Sequence, residues 1–336
     1  MRFRRRFSTW WRVTAERTLP CRFAFLFGVA IGTALAQQGT PVRATGGEAG
    51  GLRPARLYGI ATSTMFDNVN RNDARAALKV WFDVVGRQRG FVLDSKIDVV
   101  DSVAEIRERL LSHSVNLISL AVIDYLEMES SRLLVPVLTD SRSPRGTAPY
   151  SYVLVVGPSS GATTIAGLRG KNILTSSRGA GRTAAVWLDV LLGKEKLGRA
   201  ASFFASIKVP AKPQACILPV FFGTVDACVV DEVNLNLAKE MNPQLGQLRV
   251  LARSRPMIES VIAVPAEPLP FQKETIDGML SLHEDPGGRQ LLLVFKTDRL
   301  VPIQPGDMDS ARELWRDYYR LPGSPPNPTD RGKERD

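Results

Sequence analysis

The run Lys171-Asn-Ile-Leu-Thr-Ser-Ser-Arg-Gly-Ala-Gly-Arg182 carries a short apolar segment into a loop of serines, glycines and arginines, and the helical pattern Thr183 to Leu192 follows. Ser176 and Ser177 offer hydroxyl donors, and Gly179 and Gly181 let backbone N–H groups approach a ligand closely. Arg178 and Arg182 can form charge-assisted bonds to phosphate, sulfonate or carboxylate. A loop of this composition at a helix N-terminus has unpaired N–H groups and a dipole that favours an anion. The same composition also suits a plain connecting turn with solvated arginines. What weighs against the plain turn is a second hydroxyl-rich stretch, Thr62-Ser63-Thr64-Met65, placed equivalently after another predicted strand.

Little else in the chain suggests chemistry. His113 and His283 are the only histidines, and neither lies near a Cys, Asp or Glu cluster with metal-ligand spacing. There is no Gly-x-Ser-x-Gly elbow, Walker A loop or His-Glu-x-x-His motif. The sequence therefore points to binding rather than catalysis, with no cofactor and no metal.

Residues 1–36 combine a basic start with the apolar segment Phe23 to Ala36, which ends Ala34-Leu35-Ala36. That order specifies a cleavable export signal, with cleavage expected before Gln37 and a periplasmic destination. An uncleaved anchor is the alternative. Arg4-Arg5-Arg6-Phe7 also fits the core of a twin-arginine signal, although its flanks depart from that pattern. The formal charge is +10, but the first 36 residues hold seven Arg and one Glu, so the remainder carries +4. No basic block interleaved with aromatics remains, which argues against nucleic acid as a partner. Of three cysteines, Cys216 and Cys228 lie beyond the signal. A disulfide between them is possible in an oxidising compartment, and two buried thiols are the alternative.

About 300 residues beyond the signal suggest two domains. Residues 37–54 read as a flexible linker, and the fold is expected to begin near Arg56. Strands are predicted at Leu57 to Ala61, Phe91 to Val100, Asn116 to Leu120, Leu133 to Leu138 and Tyr152 to Val156. Helices alternate with them at Asp73 to Arg87, after Ser102, and at Val122 to Glu129. A second alternating unit has strands at Ile173 to Thr175, Ser206 to Val209, Val225 to Val230 and Leu248 to Ala252. Its helices run over Arg182 to Leu192, Pro213 to Phe222 and Val233 to Glu240. Val261 to Val264 leads back as a strand, and after Pro270 the chain reads as helical. This rhythm predicts an α/β protein of two lobes, with mainly parallel sheets flanked by helices and two crossings between lobes. Lobe 1 would comprise 55–150 plus 256–321 and lobe 2 would comprise 151–255, followed by a disordered tail over 322–336.

In open parallel sheets ligands collect beyond the carboxyl ends of the strands. That rule selects Thr62, Ser63, Thr64 and Met65, the segment Ala121 to Tyr125, the loop Ser176 to Thr183, and Asp231. Tyr125 and Tyr152 are candidates for packing on a ligand, against the plainer reading of half-buried aromatics. Asp231 either accepts from a ligand amino group or caps the helix after it.

Several segments together carry a resemblance. They are the Tyr150-Ser151-Tyr152-Val-Leu-Val-Val crossover, Ile165-Ala-Gly-Leu-Arg-Gly-Lys171, and Phe222-Gly-Thr-Val-Asp-Ala-Cys-Val-Val-Asp231. Arg255-Pro256 to Val264 and Leu280-Ser-Leu-His-Glu-Asp-Pro-Gly-Gly288 complete them. In order and spacing the chain resembles the phosphate/phosphonate-type substrate-binding proteins of ABC transporters, which have the type II periplasmic-binding fold. The resemblance implies a monomeric, non-enzymatic receptor that closes two lobes over a small anionic solute and delivers it to an ABC permease in the inner membrane. It also implies oxyanion contacts from Thr62 to Thr64 and from Ser176 to Arg182. Two departures leave the ligand open: arginines stand in the second loop, and Leu120-Ala-Val-Ile-Asp-Tyr125 replaces a Gly-Pro turn. A sensory module of the same fold, or a carboxylate or sulfonate ligand, is the alternative.

Overall fold

The computed structural model describes residues 52–63, 71–141, 147, 149–175, 181–210 and 214–324. The proposed signal, most of the linker, Thr64, Met65, Ser176 to Gly179 and residues 325–336 lie outside the described residues.

The first sheet is built from β1 (Arg53–Thr62), β2 (Phe91–Val100), β3 (Leu117–Ala121), β4 (Leu134–Ser141), β10 (Ser260–Pro265) and β11 (Arg299–Pro302). Its order is β11-β4-β10-β3-β1-β2. β1 runs parallel to both β2 and β3, while β10 runs antiparallel to both β3 and β4. The second sheet holds β5 (Tyr152–Val156), β6 (Asn172–Thr175), β7 (Ser206–Lys208), β8 (Ala227–Asp231) and β9 (Arg249–Arg253), in the order β7-β6-β8-β5-β9. β6 is parallel to β7 and β8, and β5 is antiparallel to β8 and β9. The two sheets thus repeat one plan. In each, the strand arriving from the other sheet inserts antiparallel between parallel neighbours, and β11 is antiparallel to β4 as well, so the sheets are mixed rather than mainly parallel.

Sequence explains the placement of these strands. β5 and β8 are buried along their whole length, as continuous apolar runs in a sheet covered on both faces should be. β2 lies at an edge and alternates, with Asp94, Lys96 and Asp98 among its half-buried or exposed positions, which blunts the free edge.

Helices link and cover the strands. They include α1 (Arg71–Gln88), α2 (Val103–Leu111), α3 (Val122–Met128), α4 (Gly181–Lys194), α5 (Ala200–Phe203), α6 (Gln214–Phe221) and α7 (Glu232–Met241). After β10 come α8 (Gln272–Leu280) and α9 (Pro286–Val294), and α10 (Asp309–Arg320) follows β11. Ser102 caps α2 by accepting from the Glu105 N–H at 3.2 Å.

Four further features differ from the sequence expectations. Arg53 and Pro54 are part of β1, in register with Phe91 and Val92, so the fold begins inside the expected linker. β11 is a four-residue edge strand held by β4 rather than part of a helical run. The Ser324 hydroxyl donates to the Tyr318 carbonyl at 2.6 Å, which holds the first residues of the expected tail on α10. Finally, α10 packs on α3 and also on α4, which follows a strand of the second sheet.

The two crossing segments are bonded to one another. Tyr150 and Met257 form an antiparallel bridge with N–H···O distances of 2.7 and 2.9 Å. Next to it, the Tyr152 N–H donates to Ser254 Oγ at 2.8 Å, and the Ser254 N–H donates to the Tyr152 carbonyl at 2.8 Å. A paired two-strand connection permits bending and resists separation.

Candidate functional site

Both sheets end toward the same region. Thr62 closes β1 and is buried, and Ser63 follows it half-buried in a short 3₁₀ turn. Thr175 closes β6 and is buried. The helices that leave β3 and β6, α3 and α4, touch each other, with Arg182 in the first turn of α4 meeting Asp124 in the first turn of α3. Gly181 and Arg182 open α4.

Arg182 does not stand free. Its Nη1 donates to Asp124 Oδ1 at 2.7 Å, and its Nη2 lies 2.8 Å from Glu127 Oε2. Asp124 and Glu127 are three residues apart on α3, so both carboxylates project from one helix face. A cation at a helix N-terminus opposes the dipole, and the two carboxylates offset that penalty. Partial burial pulls the Arg182 pKa down, but the hydrogen bonds and charges of Glu127 and Asp124 outweigh it and raise it above the ordinary arginine value. The Arg182 guanidinium also lies 6.0 Å from the Trp315 ring on α10.

A residue beside Arg182 has the opposite character. Thr183 is fully buried, and its Oγ1 has no hydrogen-bond partner among the described residues. A buried hydroxyl left unpaired costs about 1–3 kcal/mol, and here it sits in the first turn of α4, where helix geometry gives the backbone N–H groups no intrahelical partner. The indole Nε1 of Trp315 is a further buried donor in that condition among the described residues.

The other expected site residues are engaged in the protein. Asp231 caps α7, its Oδ1 accepting from the Asn234 N–H at 2.8 Å and its Oδ2 from Asn234 Nδ2 at 2.5 Å. Tyr152 is buried, stacks on Trp187 with ring centroids 6.2 Å apart, and donates its hydroxyl to Glu259. Tyr125 is buried beside Glu129 and Arg312. Burial and the Glu129 charge push its hydroxyl pKa up to about 12, against the pull of Arg312. Both tyrosines thus have partners within the protein. Cys216 and Cys228 have Cα atoms 6.0 Å apart and their sulfurs joined, tying α6 to β8.

Sequence reasoning placed Asp124 and Thr183 inside selected segments without naming either as a site residue, and it did not single out Glu127, Glu259 or Trp315. The local signals were the place of Thr183 at the end of the hydroxyl-rich loop and that of Asp124 just beyond a strand's carboxyl end. The Arg182–Asp124 contact spans 58 residues, and nothing in either segment names the other.

Two α/β lobes on one plan, a bonded pair of crossing strands, and helix N-termini meeting at the strand ends define a bilobal solute-binding receptor. Residues 68–308 match the family described as ABC transporter, phosphonate, periplasmic substrate-binding protein. The chain belongs to that family and is the periplasmic substrate-binding component of an ABC transporter. No curated protein gives a sequence match. Among solved structures, the fold is similar to XAC2383 from Xanthomonas citri, solved with ATP or with chloride. For the chloride form the TM-score is 0.59 at 17% identity, covering 83% of this chain and 99% of that one. It is also similar to a binding protein component of an ABC phosphonate transporter from Pseudomonas aeruginosa, with TM-score 0.54, 11% identity, and 83% and 93% coverage. A third is PhnD1 from Prochlorococcus marinus in complex with methylphosphonate, with TM-score 0.53, 14% identity, and 79% and 99% coverage.

Proposed function

We propose that the protein captures a small phosphonate- or phosphate-like oxyanion between its two lobes and passes it to an ABC permease, without chemical turnover. The observation that carries this reading is Thr183, a buried hydroxyl with no partner among the described residues in the first turn of α4. A tetrahedral oxyanion accepts from such a hydroxyl and from the N–H groups around it. Thr62 and Ser63 stand at the equivalent strand end in the first lobe, and Thr64, Met65 and the loop Ser176 to Gly181 complete the proposed contacts. Arg182 supports the site through its pairing with Asp124 and Glu127, and Arg178 is the arginine proposed to meet the ligand.

The receptor is proposed to be monomeric and to reach the periplasm by a signal cleaved after Ala36. The test is a thermal-shift screen of the mature chain against phosphate, methylphosphonate, methanesulfonate and acetate. At a hundredfold excess over Kd, one-site binding stabilises by about 2.7 kcal/mol. Stabilisation by phosphate or methylphosphonate supports the proposal. Silence toward all four, or a response to acetate alone, would overturn it.

A further inference from the structure

The C-terminal helix joins both lobes. Toward the second lobe, Asp317 pairs with Lys194 at 2.7 Å, and the Arg199 guanidinium lies 4.6 Å from the Tyr318 ring. Leu321 sits so tightly over Gly193 that a Cβ there would come within 2.2 Å of Leu321 Cδ2. Toward the first lobe, Arg312 donates through Nε and Nη2 to Glu129 Oε1 at 2.9 and 2.7 Å. The Arg182 cluster with Asp124 and Glu127 lies on the same α3–α4 seam.

We propose that α10 travels with the second lobe, and that the ion pairs Arg312–Glu129 and Arg182–Asp124/Glu127 form a releasable latch onto α3. Bending at the Tyr150–Met257 bridge leaves the crossing strands paired but must separate α10 from either α3 or α4. The α4 side is interlocked by apolar packing, and packing contacts are forfeited as a gap opens. The α3 side is held by ion pairs in which Arg182, Arg312, Glu127 and Glu129 are partly exposed and only Asp124 is buried, so separating them into water costs less than opening the interlocked packing. The break therefore falls at α3, and the chain has a third, openable connection between its lobes. This inference rests on the fold alone and holds whatever the ligand.

Spin labels at R107C on α2 and E240C on α7, both exposed positions, report the lobe separation in ligand-free protein by double electron–electron resonance. Glu127→Gln with Glu129→Gln is expected to shift the distance distribution to longer values. Arg312→Gln alone should give a smaller shift in the same direction, which keeps the test open if the double variant folds poorly. Asp317→Asn should leave the distribution unchanged. No shift in Arg312→Gln, or an equal shift in Asp317→Asn, would overturn the latch.

Discussion

Arg182, the second residue of α4, donates to Asp124, the third residue of α3, at 2.7 Å and so ties the helix after β6 to the helix after β3. The Asp124 side chain is 5% exposed and that of Arg182 45%. Removing the arginine deprives a buried carboxylate of its cation, although water reaches the other partner. Arg182→Ala is expected to lower stability by about 1–2 kcal/mol, less than the loss for a fully buried pair. Urea denaturation measures this, and an unchanged midpoint would show that solvent already compensates Asp124.

The Tyr125 hydroxyl gives the alkaline side of the stability profile a definite sign. Its folded pKa of about 12 lies above the ordinary value of 10.0, so the folded state holds this proton more tightly than the unfolded chain. The preference is fully in force below pH 10 and is lost as the pH climbs from 10 through about 12. The loss amounts to about 2.7 kcal/mol at most. In Tyr125→Phe, urea midpoints at pH 8 and pH 11 should lie closer together than in the parent. An equal gap would place the alkaline loss elsewhere, for example at Tyr319, which burial and Glu127 also raise.

The bridge between Cys216 and Cys228 closes a loop with a sequence separation of 12. A loop of that length is worth about 3 kcal/mol by restricting the unfolded chain. The double variant C216A/C228A should lose about that amount, and reductant should lower the denaturation midpoint of the parent but not of the variant. A parent insensitive to reductant, even when unfolded, would argue for two free thiols.

Much of this architecture was legible in the residues. Phe91–Val100 and Tyr152–Val156 are strands with the expected bounds, because alternation at an edge and an unbroken apolar run at a centre are strong local signals. Arg299–Pro302 escaped notice because four residues held by pairing with β4 have no period of their own. The buried stripe Ala311, Leu314 and Trp315 announces that one face of α10 is covered, but not that the cover comes from both lobes. The hydroxyl-rich loop pointed to α4, yet the partners of Arg182 lie on a helix far away in sequence. Burial of both Asp124 and Asp231 follows from tertiary packing, which spacing alone cannot convey. Asp231 was open between ligand contact and cap, and its bond from the Asn234 N–H shows that it caps α7.

The central claim, oxyanion capture at the first turn of α4, is tested most directly by calorimetric titration of methylphosphonate and phosphate into the parent and Thr183→Val. The substitution removes a hydroxyl that has no partner among the described residues, so the ligand-free stability should hold or rise slightly. Affinity for the oxyanion should fall about tenfold, the equivalent of one lost hydrogen bond of about 1.4 kcal/mol. Equal affinity in the two proteins, or loss of ligand-free stability in Thr183→Val, would contradict the assignment of this hydroxyl to the ligand.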